Sequence, residues 1–249
     1  MFRRIFVAAA TLTLVTIAQP TAAAAAPVPP DLGMARLTDL TVTTTAGGQQ
    51  QLRFSSTVVN VGAGPFLVVG SRPDTVSEFG LTQRIRQSDG SSVDTPVTAT
   101  VVFAGDGHGH WHVRDLETYT LHRLDTGAPA GYGAKGGFCF MDTTAYRLAL
   151  PGAPQQAQYT DEGCGGATST TLAMGLSVGW GDRYGWTLSD QYVDVTGIPV
   201  GKYRLRAVAD AQGRFTESSR ANNETWVDFS LATRRGGLVV KVLGYGPAA

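Results

Sequence analysis

Short stretches in which hydrophobic and polar residues alternate recur along most of the chain. Residues 37–43, 51–60, 66–70 and 97–103 each show this pattern, and turn-forming Gly and Pro residues separate them. Alternation with a period of two is typical of β-strands that bury one face, and no helical period persists beyond residue 26. The pattern therefore predicts an all-β protein, an antiparallel β-sandwich with long Gly-rich loops in a single domain.

Three connections follow from the same pattern. The β-prone residues 97–103 are expected to lead through the next segment into one continuous strand that reaches residue 124. Residues 72–94 are polar, so we expect a long surface excursion that contains only a short hairpin. The stretches 191–195 and 203–208 flank a Gly-rich turn and are expected to pair with each other as a hairpin.

The N-terminus resembles an export signal. Two arginines at positions 3 and 4 precede an apolar run over 5–17, and small residues follow at 21–26. Such a run is too short to span a bilayer comfortably, although a membrane anchor is the alternative interpretation. We therefore predict a signal peptide over 1–26 and a mature domain over 27–249. The mature protein is expected to be secreted, with no stable membrane association.

Composition narrows the function classes. The formal net charge is zero and no basic stripe is present, which argues against nucleic acid as a partner. Arginine greatly outnumbers lysine, of which there are three, and this bias together with the Ala-rich start indicates a bacterial source. In an exported protein the cysteine pair Cys139 and Cys164 predicts a disulfide, worth roughly 3 kcal/mol; two buried thiols are the alternative.

Three of the four histidines occupy alternate positions in one short segment, as His108, His110 and His112. On a β-strand these side chains point to one face, so we expect the three imidazoles to converge. Nitrogen ligands suit copper or zinc rather than calcium or magnesium. Gly107 and Gly109 leave room beside them for an ion. A polar strand face in contact with solvent is the alternative.

Four motifs in this order resemble the catalytic domain of the lysyl oxidases, which are secreted copper amine oxidases. They are His-x-His-Trp-His at 108–112, Lys-Gly-Gly-Phe-Cys-Phe-Met-Asp-Thr at 135–143, Asp-Arg-Tyr-Gly at 182–185 and Gln-Tyr-Val-Asp-Val-Thr at 191–196. The resemblance extends over roughly residues 32–231. Animal members have more cysteines than the two present here.

The resemblance implies a copper ion bound by His108, His110 and His112. It also implies a lysine tyrosylquinone cofactor made from the chain's own Lys135 and Tyr184. The expected activity is oxidation of a primary amine, either a lysyl side chain or a small amine, by O2. The expected products are an aldehyde, ammonia and hydrogen peroxide.

The reaction needs a base, for which a buried carboxylate is suited. Asp115 and Asp142 are candidates from their positions near the motifs, although either could equally be a structural hydrogen-bond acceptor. His122 is interpreted as a surface residue or an indirect support of the metal site rather than a ligand. Two other functions use the histidines alone: a non-catalytic copper-binding sandwich and a zinc hydrolase with three His ligands.

Overall fold

The computed structural model describes residues 24–104 and 109–249. Within these ranges the secondary structure consists of β-strands and one short 3-10 helix, Asp161–Cys164. The strands are, in chain order, β1 Pro27–Val28, β2 Leu32–Met34, β3 Thr38–Thr44, β4 Gln50–Asn60, β5 Phe66–Ser71, β6 Gly80–Gln87, β7 Ser92–Pro96, β8 Val101–Phe103, β9 Trp111–Arg114, β10 Glu117–Arg123, β11 Pro129–Tyr132, β12 Gly137–Phe138, β13 Thr144–Ala145, β14 Thr171–Leu176, β15 Trp180–Tyr184, β16 Tyr192–Asp194, β17 Gly201–Ala209, β18 Glu224–Arg234 and β19 Gly237–Tyr245.

The strands form antiparallel sheets, so the predicted all-β fold is confirmed. One sheet runs β1-β6-β5-β14 with β7 beside β6, a second runs β11-β10-β17-β18-β19, and a third runs β12-β9-β8. The fourth is built around the long strand β4, which pairs with β15, β16, β2 and β3. Fully buried aromatic residues, among them Phe54, Phe66, Phe138 and Phe229, fill the core between the sheets.

The expected continuous strand from 97 to 124 is wrong. Strands β8 and β9 form a hairpin instead, and the backbone N–H of Ala104 closes its loop by donating to the His110 carbonyl at 2.8 Å. A second break follows β9, where Asp115 adopts a φ of 54° before β10 begins. The chain direction thus reverses between β8 and β9.

Two further connections differ from expectation. The polar segment 72–94 contains β6, whose alternate residues are buried, and β6 pairs with β7 in a hairpin longer than predicted. Strands β16 and β17 do not pair as a hairpin, since β16 joins β4 whereas β17 lies between β10 and β18. The Gly-rich turn between them therefore carries the chain from one sheet to another.

The predicted disulfide is confirmed. It joins Cys139 to Cys164, with their Cα atoms 5.8 Å apart. The bond ties the residue after β12 to the end of the 3-10 helix. The predicted signal peptide lies outside the described residues except for its last three positions, and the signal remains a prediction. Among the residues described, none belongs to a helix long and apolar enough to cross a membrane.

Candidate active site

The histidine segment brings two imidazoles together. His110 lies at the end of the hairpin loop and His112 lies in β9, with their Nε2 atoms 2.9 Å apart. His112 is buried and His110 is partly buried. His108 is outside the described residues, and no group of three possible metal-ligating side chains occurs within the described ranges. The two observed imidazoles converge from a loop and a strand start rather than from one strand face.

Close backbone packing holds His112 in place. Gly137 in β12 pairs with Arg114 in β9, and this pairing lays the Gly137 backbone against the His112 side chain. A Cβ atom at Gly137 would lie 2.8 Å from the Cβ atom of His112, which is too close for real atoms. Only glycine at this position permits the observed approach. The motif that begins at Lys135 is thereby fixed beside the imidazoles.

Lys135 is a buried lysine, although it lies in the loop between β11 and β12. Its side chain is 0% exposed, and its Nζ donates to Oδ2 of Asp190 at 3.0 Å. The same Nζ lies 5.1 Å from the centre of the Tyr184 ring and 5.4 Å from that of Phe138. A lysine in a Gly-rich loop would ordinarily be solvated, and a buried lysine without a specific partner is strongly disfavoured.

Tyr184 ends strand β15, where it pairs with Ser56 of β4. Its hydroxyl donates to the carbonyl oxygen of Cys139 at 2.9 Å. The Phe138 ring packs edge-on against its ring, with centres 5.0 Å apart. Burial raises the pKa of Tyr184 well above its usual range, and the negative charge of Asp182 raises that pKa further. The structure thus brings Lys135 and Tyr184, which are 49 positions apart in the sequence, into one buried cluster.

Two buried carboxyl groups that sequence reasoning did not single out flank Tyr184. Asp182 accepts a hydrogen bond from Thr143 Oγ1 at 3.0 Å through Oδ1, while its Oδ2 is buried and accepts none from the described residues. Burial raises the pKa of Asp182 to about 7. The sequence did carry a signal for Asp182, because it lies two residues before Tyr184 and alternate strand residues share a face.

The second carboxyl group, Glu117, is on β10. Its Oε2 accepts from Ser56 Oγ at 3.0 Å and from the Tyr119 hydroxyl at 2.6 Å. Its Oε1 is buried and accepts no hydrogen bond from the part of the chain described. Burial raises the pKa of Glu117 to about 7. No sequence signal identified this residue, since the turn at Asp115 changes which residues of β10 point inward.

The other residues that were candidates from the sequence have different surroundings. The Asp142 carboxylate is fully engaged by the backbone N–H groups of Gln158 and Ser177 at 2.8 Å and by the Ser177 hydroxyl at 2.7 Å. Asp115 is half-buried at the turn after β9, 3.8 Å from Arg214. His122 is partly exposed on β10, with its Nδ1 3.3 Å from the Gly127 carbonyl oxygen. These three residues do not line the cavity beside Tyr184.

That cavity has a volume of about 330 Å³. Imidazole, carboxyl, phenol and apolar groups line it together: His110, His112, Cys139, Met141, Thr143, Asp161, Asp182, Arg183, Tyr184 and Leu188. A larger cavity of about 570 Å³ lies on the other face of β9, around Trp111. There Arg72 stacks on Phe79 and Trp111. Its guanidinium also donates to the backbone carbonyl groups of residues 75, 167 and 169, so it holds these two loops together.

Comparison with known proteins supports the family resemblance that the four motifs indicate. A family model described as Lysyl oxidase matches residues 81–239, more than half of the chain. Lysyl oxidase homolog 2 of Gallus gallus is 30% identical over 119 residues, and lysyl oxidase homolog 3 of Homo sapiens is 27% identical over 116 residues. Each alignment covers 47% of this chain and 14% of the relative, so the similarity concerns a small part of those proteins. The chain belongs to the lysyl oxidase family.

Proposed function

We propose that the protein is a copper-dependent oxidase of primary amines. Copper and a quinone formed from Tyr184 and Lys135 would supply the two-electron oxidation, in which a primary amine, O2 and water give an aldehyde, ammonia and hydrogen peroxide. The observation that supports this most strongly is the position of the Lys135 Nζ, 5.1 Å from the Tyr184 ring centre inside a buried cluster.

The residues present fit a copper ion. His110 and His112 have their Nε2 atoms 2.9 Å apart, and two imidazole nitrogens bound to one metal ion at about 2.0–2.1 Å are about 3 Å apart. His108 is the proposed third ligand, by its place in the motif. An all-imidazole set suits copper, and the adjacent cavity leaves space for O2 and substrate.

The residues also fit a cofactor that is made within the chain. Tyr184 and His112 line the same cavity, so the ring that would be oxidised is next to the proposed metal. The Tyr184 hydroxyl is held by the Cys139 carbonyl, and Phe138 packs against the ring. These contacts restrict ring rotation and keep the ring beneath the Lys135 amine. A copper carrier or a zinc hydrolase would use the imidazoles but has no role for this buried lysine.

Asp182 is the proposed base that removes a proton from the substrate carbon. It lines the cavity, is buried, and has one oxygen that accepts no hydrogen bond from the described residues. Burial raises its pKa to about 7, so near neutral pH the carboxyl group can both accept and release a proton. Met141 and Leu188 give the cavity apolar walls, which suit an aliphatic amine.

Secretion is also proposed. It depends on the predicted signal peptide over residues 1–26, and the disulfide is consistent with an oxidising compartment. N-terminal sequencing of the mature exported protein would test it directly.

The proposed activity is tested by amine-dependent peroxide release from copper-loaded protein in air. Wild type should be active, whereas Tyr184→Phe should be inactive and keep its copper, because the ligands are untouched. Tyr132→Phe is the matched control, since Tyr132 is 69% exposed, and it should retain full activity. His110→Ala should lose both copper and activity. Amine oxidation by Tyr184→Phe at the wild-type rate would overturn the proposal.

A further inference from the structure

Lys135 is enclosed by acidic side chains. Asp190 contacts its Nζ directly at 3.0 Å. Glu117 and Asp182 interact with it at longer range, and its positive charge lowers the pKa of both. Tyr184 provides the adjacent ring. A lysine amine ordinarily carries a proton at neutral pH, yet only the neutral amine is a nucleophile. The proton on Lys135 must therefore leave before its nitrogen can bond to the ring.

Asp190 is the partly exposed partner of the buried amine. The Lys135 side chain is 0% exposed, whereas the Asp190 side chain is 27% exposed. Glu117 and Asp182 are each buried almost completely. The Oδ1 atom of Asp190 is itself buried and accepts no hydrogen bond from the described residues. Among the described residues that face the amine, Asp190 is thus the acidic side chain that both contacts Nζ and is partly exposed.

The backbone fixes the two partners relative to each other. The segment before Lys135 runs beside β16, with a bridge between Gly133 and Val193 and a hydrogen bond from the Ala134 N–H to the Tyr192 carbonyl at 2.9 Å. On the other side of Asp190, Arg53 donates to the carbonyl groups of residues 188 and 189 at 2.7 and 3.2 Å. Backbone contacts thus hold the segments of both Lys135 and Asp190, so the fold itself fixes the distance between the two side chains.

We propose that Asp190 positions Lys135 over the Tyr184 ring and accepts its proton when the two residues become joined. The inference rests on the proposed function. The step assigned to Asp190 is a proton transfer, in which the ammonium and the carboxylate become a neutral amine and a carboxylic acid, and the acid then releases the proton to water. Oxidation of the ring and formation of the carbon–nitrogen bond use O2 as the oxidant.

The test measures the rate at which Lys135 and Tyr184 peptides become cross-linked after apoprotein receives copper in air, by mass spectrometry at several pH values. In Asp190→Asn the rate at pH 7 should fall about 100-fold and should rise with pH, because hydroxide then replaces the carboxylate. Asp190→Glu keeps the carboxylate and should recover most of the rate with the wild-type pH dependence. Asp194→Asn, at an exposed aspartate that hydrogen-bonds Gln49, is the matched control and should cross-link as wild type does.

The outcomes separate the two claims. If wild type forms no cross-link while it holds copper, the proposed function fails. If wild type and Asp190→Asn form it at equal rates with the same pH dependence, Asp190 has only a structural role and the inference fails. Should Asp190→Asn not fold, Asp190→Glu decides: a folded Glu variant that never cross-links would overturn the inference.

Discussion

Two buried aspartates near the disulfide have opposite surroundings. Asp142 accepts hydrogen bonds from the backbone N–H groups of Gln158, Tyr159 and Ser177 and from the Ser177 hydroxyl. Asp182 is more deeply buried, at 2% against 7% exposure, yet its Oδ2 accepts no hydrogen bond from the described residues, while its Oδ1 accepts one from Thr143. Both come from motifs of the same family resemblance, so their sequence context does not separate them.

The difference indicates what each carboxyl group does. Donors that surround Asp142 hydrogen-bond to both of its oxygens and tie the segment after β12 to two other loops, so Asp142 anchors these loops in the fold. The environment of Asp182 instead favours a proton on the carboxyl group, and its pKa is raised to about 7. Its Oδ2 is buried and accepts no hydrogen bond from the described residues, which requires an explanation, and a catalytic role is one of the few available.

Asp182→Asn should have the largest effect on activity. Loss of a catalytic base costs about 100-fold to 10,000-fold, so amine-dependent peroxide release by the copper-loaded variant should fall by that factor. Its stability should change little below about pH 4, where the carboxyl group is protonated, because Asn resembles the protonated carboxyl group in shape and charge. Asp142→Asn is the control, and its folded fraction should keep near-normal activity. A fully active Asp182→Asn protein would remove the distinction between the two aspartates.

Asp142→Asn should have the larger effect on stability. The amide nitrogen of Asn would face backbone donors, leaving at least two of them unpaired, and we expect a loss of about 3–5 kcal/mol in the free energy of unfolding. Urea denaturation of the apoprotein at neutral pH measures this loss. The anchor role would be contradicted by a loss smaller than about 1 kcal/mol.

A smaller effect should appear in the pH dependence of stability. The pKa of Asp182 is raised by burial from 3.8 to about 7, so between these values the unfolded chain binds fewer protons than the folded chain. This group therefore contributes its stability fully below about pH 4, and the contribution is lost as pH rises through about 7.

Asp182→Asn should flatten part of that decline in metal-free protein. Glu117 and Glu217 also have raised pKa values and remain in both proteins. The charge of Asp182 contributes to the raised pKa of Glu117, so the difference reports Asp182 together with this coupling. Parallel stability curves would show that Asp182 is ionised normally.

Much of the fold could be predicted from local pattern. Alternation predicted strands over residues 51–60 and 66–70, which correspond closely to β4 and β5. The connections could not be predicted in the same way, because pairing partners depend on contacts between distant segments. Strands β8 and β9 show this, since the alternation predicts one continuous strand whereas the two strands pair antiparallel.

The residues of the candidate site likewise differ in whether local sequence could identify them. The histidines and the Lys135 and Tyr184 motifs are compact sequence signals. Glu117 and Asp190 carry no such signal, because their importance arises from what they meet after β10, β15 and the segment before β16 come together. The burial of Lys135 in a loop and the raised pKa of Asp182 on a strand likewise arise only from contacts between distant segments.

The central claim is that Lys135 and Tyr184 become covalently joined beside a copper ion. Peptide mapping of wild-type protein incubated with copper in air tests it most directly. We expect a species that contains both peptides, with one oxygen more and four hydrogens fewer than the two peptides together, and we expect it to be absent from Tyr184→Phe. Recovery of both peptides separate and unmodified from wild-type protein that holds copper would contradict the account.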